Sequence, residues 1–289
     1  MSPFQKDRYA ETMYKRLYWQ GYAGRFGSFR WPTRYNFNDC NWFYNQQHFD
    51  KSEFRAWASA AALRHLLINL KAKYTGDPND PKGLLRLTAH SMGAIVAGEA
   101  LNVSTMLVHT YVPLHAAVVA HAYDETLPDA EGYNPINYQA PNLYANYWNT
   151  GGPAYFNGAV GANSYINFVH PSDNALEKWR ISQILKPDAF LNYRDDKDTG
   201  KYYRSLLQLS LPNDRYEIFS FIAEGRSRAL GAQENVAAQF QMQQVRLTDD
   251  PYKLTNLRQD HSASWRSTNM KRAPIGERLL ISLGLQQTQ

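Results

Sequence analysis

The chain has 289 residues, 44% of them hydrophobic, which is enough to bury one sizeable core or two small ones. Its 20 tyrosines and 7 tryptophans exclude the composition of a disordered chain. The formal net charge of +5 comes from Lys and Arg spread along the chain, so no basic tract predicts binding of nucleic acid.

Cysteine content and hydropathy exclude several further classes. Cys40 is the single cysteine, so the chain has no internal disulfide and no cysteine-based metal site. No apolar run reaches the length of a membrane span, and residues 1–16 lack the apolar centre of a signal peptide. These features predict a cytoplasmic protein without a membrane span.

Capping signals predict a helix at the start of the chain. Ser2 can act as the N-cap, Pro3 suits the first helical position, and Gln5 completes a capping-box pattern. This helix is expected to run toward Gly21. A short strand is then predicted over residues 24–32, where a proline ends it.

A second helix is predicted where Asp50 and Glu53 repeat the pattern of an N-terminal cap. Gly76 and Pro78 would end it. Apolar residues recur within it at four-residue spacing and predict one buried face, formed by Phe54, Ala58, Ala62, Leu66 and Leu70.

Strands and helices alternate from residue 84 onward. The predicted strands cover 84–89, part of 110–124, 164–170 and 216–224, and predicted helices follow the serine at 91, begin near 174 and cover 275–285. This order predicts an α/β fold, with a mostly parallel sheet and helices on both faces, in one domain over 1–289. Residues 125–164 are rich in Tyr, Asn, Gly and Pro and predict a cap-like or lid-like insertion.

The segment Ala-His-Ser-Met-Gly, from Ala89 to Gly93, matches the G-x-S-x-G nucleophile elbow with alanine at the first glycine. In that motif a strand enters and a helix leaves, and small residues at both ends let them pass closely around an exposed serine. The helix N-terminus also directs amides toward Ser91, which suits an oxyanion. The alternative is an ordinary strand-to-helix turn with a capping serine.

A serine nucleophile needs a base, and the base needs an acid that orients it. With this elbow the acid precedes the histidine along the chain, each in a loop after a strand. Asp173 follows the predicted strand 164–170 and is the predicted acid, with capping of the next helix as the alternative. Asp124 and Asp198 are poorer candidates, because one follows the preceding strand and the other lies in a charged loop.

His261 is the predicted base because it is the only histidine after His170. The alternative is a surface histidine before the last helix. His90 lies beside the serine and could only tune it.

Three further histidines, His109, His115 and His121, lie in or beside one strand region. Their spacing puts them on one face of a continuous strand, but no acidic ligand is interleaved. No H-E-x-x-H motif or tight His/Asp cluster occurs, so no metal site and no cofactor are expected.

With these residues the chain resembles the α/β-hydrolase superfamily, on its lipase and serine-esterase branch. The resemblance rests on the elbow, the strand ending in SFRWP before it, and the order Ser91, Asp173, His261, and it spans roughly residues 1–285. It implies acyl transfer from an ester to Ser91, with His261 as general base and then general acid, before water releases the product acid. Asp173 would hold the imidazole, and the amide of Met92 would be one oxyanion donor.

The chain departs from the family at its start. The family's second oxyanion donor lies in a loop after an earlier strand, often marked His-Gly, and no such motif precedes the elbow here. The first strands of the family are therefore expected to be missing, which would leave the elbow strand with an unpaired edge. Met1 could be internal to a longer protein, the strand over 24–32 could pair with the elbow strand, or a homodimer could cover the edge.

The last two explanations together are the prediction. The second donor would then come from amides near Met1 and Ser2, or from the loop after Pro32. Aromatic residues of the cap, and a second wall beginning at Trp31, would line a pocket for a small-molecule ester. No strongly hydrophobic lid helix occurs, which favours soluble esters over interfacial lipids.

Two alternative functions stay open. One is a catalytically inactive hydrolase fold used for binding, which the missing oxyanion loop supports. The other is a fragment of a larger multidomain hydrolase. Within the enzyme class, the sequence does not separate esters from thioesters or amides, because those reactions use the same machinery.

Overall fold

The computed structural model describes residues 3–32, 42–74, 84–124, 127–128, 130, 161–173, 175–177, 227–236, 242–247, 279 and 283. Met1, Ser2, Asp198, His261 and the predicted strand over 216–224 lie outside the described residues. Most of the predicted insertion over 125–164 and of the predicted last helix lies outside them as well.

The described regular structure consists of helices and strands that alternate after the first two helices. The helices are α1 (Pro3–Trp19), α2 (Trp42–Tyr74) and α3 (Gly93–Leu101). The strands are β1 (Arg86–His90), β2 (Val108–Leu114), β3 (Ala162–Val169) and β4 (Gln243–Arg246), and short 3₁₀ turns occur at Ala120–Ala122 and Leu230–Ala232. The amide of Leu283 also donates to the carbonyl of Leu279 at 2.8 Å, the spacing of a helical turn.

The four strands form one sheet in the order β1-β2-β3-β4, and every neighbouring pair is parallel. The predicted α/β class and parallel sheet are therefore confirmed. Because all strands point the same way, their carboxyl ends meet at one edge of the sheet, beyond His90, Leu114, Val169 and Arg246. β1 is the end strand of this sheet within the described part of the chain.

Side chains of β2 and β3 are divided between two core clusters, as a sheet covered on both faces requires. Tyr111 belongs to the larger cluster, with α2 and α3, and its hydroxyl donates to the carbonyl of Ala94 at 3.4 Å. Val112 and Phe168 belong to the second cluster, where Met13 of α1 packs. Helices therefore cover both faces of the sheet.

The prediction for α2 was wrong about which face is buried. Among the side chains of this helix that the structure describes, which exclude that of Phe54, the buried ones are Ala56, Ala60, Leu63 and Leu67. Leu66, which the four-residue pattern placed in the core, is 40% exposed, whereas Leu63 is only 4% exposed. A strict four-residue spacing advances about 40° per step around a helix, so it drifts off any single face. The buried positions follow spacings of four and three, which hold one face.

Two leucines one turn apart test this arrangement. We expect Leu63→Ala to lower the free energy of unfolding by about 2–5 kcal/mol, because it empties a buried site between α2 and α3. Leu66→Ala is the matched control and should change it by less than about 0.5 kcal/mol. Urea unfolding followed by circular dichroism measures both, and an equal loss in the two variants would contradict the observed face.

The strand predicted over residues 24–32 was also wrong, because this stretch is irregular. Its glycines, Gly24 and Gly27, weaken a strand. Its aromatic side chains reach the core instead, since Phe29 and Trp31 pack partly buried against the larger cluster. The stretch is therefore not the strand that was expected to pair with β1, and the homodimer stays a prediction.

Candidate active site

Ser91 occupies the sharp turn between β1 and α3. Its backbone has φ +55°, in the left-handed region that a residue with a side chain seldom adopts. Its amide donates to the carbonyl of Leu114 at 3.1 Å, and its carbonyl accepts from Ala94 at 3.0 Å and from Ala117 at 3.1 Å. These bonds tie the residue to both α3 and the end of β2, so the surrounding structure holds the strained conformation in place.

The crossing of β1 and α3 explains why alanine fits the first position of the elbow. A Cβ atom added to Gly93 would meet the Cβ atom of Ala89 at 3.9 Å, which is ordinary van der Waals contact. Two small side chains are therefore compatible at this crossing.

The first amides of α3 lie beside the serine. The earliest bonds of this turn are donated by Ala94 and Ile95, the latter to the carbonyl of Met92 at 3.0 Å. The amides that precede them, those of Met92 and Gly93, belong to the first turn of the helix, where backbone donors find no acceptor within the helix. The Met92 side chain is buried in the larger core cluster, which fixes this turn.

His115 follows the last residue of β2 and has φ +44°, a second left-handed backbone at the same edge of the sheet. A neighbouring segment packs tightly against it. A Cβ atom on Gly231 would lie 2.3 Å from the amide nitrogen of Ala116 and 2.5 Å from the carbonyl carbon of His115, so only glycine fits there. Gly231 also donates to the carbonyl of Ala116 at 3.0 Å and accepts from the amide of His170 at 2.8 Å.

Asp173 and His115 form a buried pair across the ends of β2 and β3. Oδ2 of Asp173 lies 2.9 Å from Nδ1 of His115, and both side chains are 2% exposed. With Asp173 ionised, its carboxylate can only accept, and Nδ1 of His115 is then the donor. The carboxylate that the sequence nominated as the catalytic acid is thus already bound to a histidine.

Asp173 also caps the helical turn that follows it. Its Oδ1 accepts from the amides of Ala175 at 3.0 Å and Leu176 at 3.2 Å. Capping had been the alternative to a catalytic role, and here it occurs together with a bond to histidine. The pairing of Asp173 with His261 stays a prediction, because His261 lies outside the described residues.

Four aromatic rings contact one another in succession near this edge of the sheet. The ring of Tyr9 is 5.4 Å from that of His90, His90 is 6.0 Å from His115, and His115 is 6.2 Å from His170. Burial raises the pKa of the Tyr9 phenol further above its usual range. Ser91 and Asp173 therefore lie at an edge lined by imidazole rings.

The other predicted binding residue within the described part is Trp31. It is partly buried against the larger core cluster, which also contains Met92. Asp124, rejected as the acid, is buried after the turn at Ala120–Ala122, and its amide donates to the carbonyl of Ala120 at 3.2 Å.

The three histidines of the third strand region do not share one face. His109 lies within β2, with Nδ1 2.9 Å from the hydroxyl of Thr110, and burial followed by the nearby Arg86 lowers its pKa. His115 lies beyond the end of β2. His121 lies in a 3₁₀ turn, with Nε2 2.9 Å from the carbonyl of Leu127. The continuous strand assumed for them was wrong, because β2 ends at Leu114.

His115 is the functional candidate that the sequence reasoning passed over. The search for a base considered only histidines that follow the acid along the chain. One signal was present: His115 comes directly after a buried strand that follows the elbow, so a parallel sheet would bring it to the edge where Ser91 lies.

No protein-family model, curated protein or solved structure matches this chain. Among the described helices, none combines the length and the hydropathy needed to cross a bilayer. The described residues contain no cluster of three His, Cys, Asp or Glu side chains suited to a metal ion.

Proposed function

We propose that this chain is a serine hydrolase of the α/β-hydrolase type that cleaves small carboxylic esters. The observation that carries the proposal is the left-handed backbone of Ser91 at the turn between a parallel strand and the N-terminus of a helix. Such a turn exposes a serine hydroxyl at the carboxyl edge of a sheet. A capping serine in an ordinary turn has no need of this strained conformation.

The position and contacts of Asp173 support the same proposal. Asp173 follows β3 at the edge where Ser91 follows β1, and its carboxylate is held by two backbone amides and one imidazole. Such fixation suits an acid that has to orient a base. His261 is the proposed base, as the resemblance to the family implies.

In the proposed reaction, Ser91 Oγ attacks the ester carbonyl carbon while the imidazole of His261 takes its proton. The carbonyl oxygen becomes an oxyanion that the Met92 amide stabilises. The carbon–oxygen bond to the alcohol then breaks, and the imidazolium protonates the leaving oxygen. Water, deprotonated by His261, attacks the acyl-enzyme, and the released Ser91 recovers the proton. Asp173 stays ionised and stabilises the imidazolium throughout.

Covalent labelling of the folded protein with a fluorophosphonate tests the proposal. We expect one adduct by intact mass, mapped to Ser91 by peptide analysis, because an activated serine next to an oxyanion site reacts with this probe. Heat-denatured protein is the control and should not react. A folded chain, verified by circular dichroism, that gives no adduct or an adduct elsewhere would overturn the proposal and favour the catalytically inactive alternative.

A further inference from the structure

Both residues of the bond between His115 and Asp173 are held in place by neighbouring segments. Gly231 packs directly against the backbone of His115, which has a left-handed conformation, with φ +44°. Asp173 is fixed at its other oxygen by the amides of Ala175 and Leu176. Two separately anchored side chains thus meet at 2.9 Å, so the contact does not arise from loose surface groups.

We propose that His115 is a positioning residue of the active site, which holds the carboxylate of Asp173 in the orientation that the catalytic base requires. This inference rests on the proposed function. The Nδ1–H of His115 occupies one lone pair of Oδ2 and fixes the plane of the carboxylate together with the cap at Oδ1. Oδ2 of Asp173 is thereby held in the fixed orientation in which it would accept from the base.

The surroundings of His115 assign it to positioning rather than to proton transfer with the substrate. Its side chain is 2% exposed and contacts the rings of both His90 and His170. A general base has to reach both the serine hydroxyl and the leaving oxygen of a substrate that enters from solvent. A ring enclosed in this way is suited to orient Asp173 and unsuited to meet a leaving group.

The test uses the full chain and three substitutions of His115. His115→Asn keeps an N–H donor near the position of Nδ1, and asparagine tolerates a left-handed backbone. His115→Leu has nearly the shape of asparagine but no donor. His115→Gly also lacks the donor and relieves the backbone, so it keeps the test valid if the leucine variant fails to fold. His109→Asn is the matched control, because His109 lies within β2 and bonds Thr110.

The readouts are the rate of fluorophosphonate labelling, and kcat and KM for p-nitrophenyl acetate after subtraction of the Ser91→Ala background. We expect the leucine and glycine variants to lose about 10- to 100-fold in kcat, the worth of a hydrogen bond to a charged group, with little change in KM. The asparagine variant should recover most of that loss. The control should match the wild type.

The outcomes separate this inference from the proposed function. If wild type labels at Ser91 and the glycine and leucine variants keep its kcat, the positioning role is overturned and the hydrolase stands. If His115 variants are as inactive as Ser91→Ala while His261→Ala stays active, His115 is the base, and positioning is again overturned. If wild type itself does not label or turn over, the hydrolase proposal fails and the positioning role fails with it.

Discussion

Replacing Ser91 with alanine is expected to abolish fluorophosphonate labelling and to reduce ester hydrolysis by at least about 10³-fold. The reason is that the hydroxyl is the only group of this residue that can form the acyl-enzyme. The fold should survive, because Ser91 is half-buried and its three backbone hydrogen bonds do not involve the side chain. The rate of p-nitrophenyl acetate hydrolysis and the melting curve of each variant are the measurements.

The strained backbone of Ser91 allows a second, independent test of the same site. Ser91→Gly removes the same hydroxyl but relieves the left-handed conformation, so it should be as inactive as Ser91→Ala and more stable by about 1 kcal/mol. Ser59→Ala is the control for nonspecific effects, because the hydroxyl of Ser59 donates within its own helix, to the carbonyl of Arg55. Labelling that persists in Ser91→Ala, or that is lost in Ser59→Ala, would contradict Ser91 as the nucleophile.

The elbow could be predicted from sequence because all of its determinants are local. A buried strand, two small residues and an apolar helix lie within the segment from Arg86 to Leu101, and each favours the same turn. The parallel sheet could be predicted for a related reason. Strands that alternate with helices along the chain return in the same direction, which requires no knowledge of distant contacts.

The contact between His115 and Asp173 could not be predicted in the same way. These residues are 58 positions apart, and their meeting depends on β2 and β3 being neighbours in register. It also depends on Gly231, from a third segment, packing against the turn after β2. Sheet order and packing of this kind are set by the whole core, whereas a single sequence exposes only local patterns.

The sequence did not predict β4, and it wrongly predicted a strand over 24–32. The two errors have opposite causes. β4 is four residues long, and its first two residues, Gln243 and Gln244, give no apolar alternation that would signal a strand. The stretch 24–32 has the aromatic residues typical of a strand, but its glycines lower strand stability and its aromatic side chains pack onto the core without a ladder. In both places tertiary packing, rather than the strand propensity of the residues, determines the structure.

Asp173 is the residue for which catalysis and stability can be separated. Asp173→Asn should lower kcat for p-nitrophenyl acetate by up to about 10⁴-fold, because a neutral amide neither stabilises an imidazolium nor selects the reactive tautomer of the base. Its stability should stay near that of the wild type. The one carbonyl oxygen of asparagine can still accept from the amides of Ala175 and Leu176. Its NH2 group can donate to Nδ1 of His115 once the imidazole carries its proton on Nε2.

Asp173→Ala should be equally inactive and also less stable than Asp173→Asn. Loss of the cap costs about 0.5–2 kcal/mol, and a buried donor on His115 left without its acceptor costs about 1–3 kcal/mol more. Kinetics and urea unfolding of the two variants therefore give different patterns for the two roles of this carboxylate. Full activity in Asp173→Asn would remove Asp173 from the catalytic group, whereas equal stability of the two variants would show that the cap and the bond to His115 add nothing to the fold.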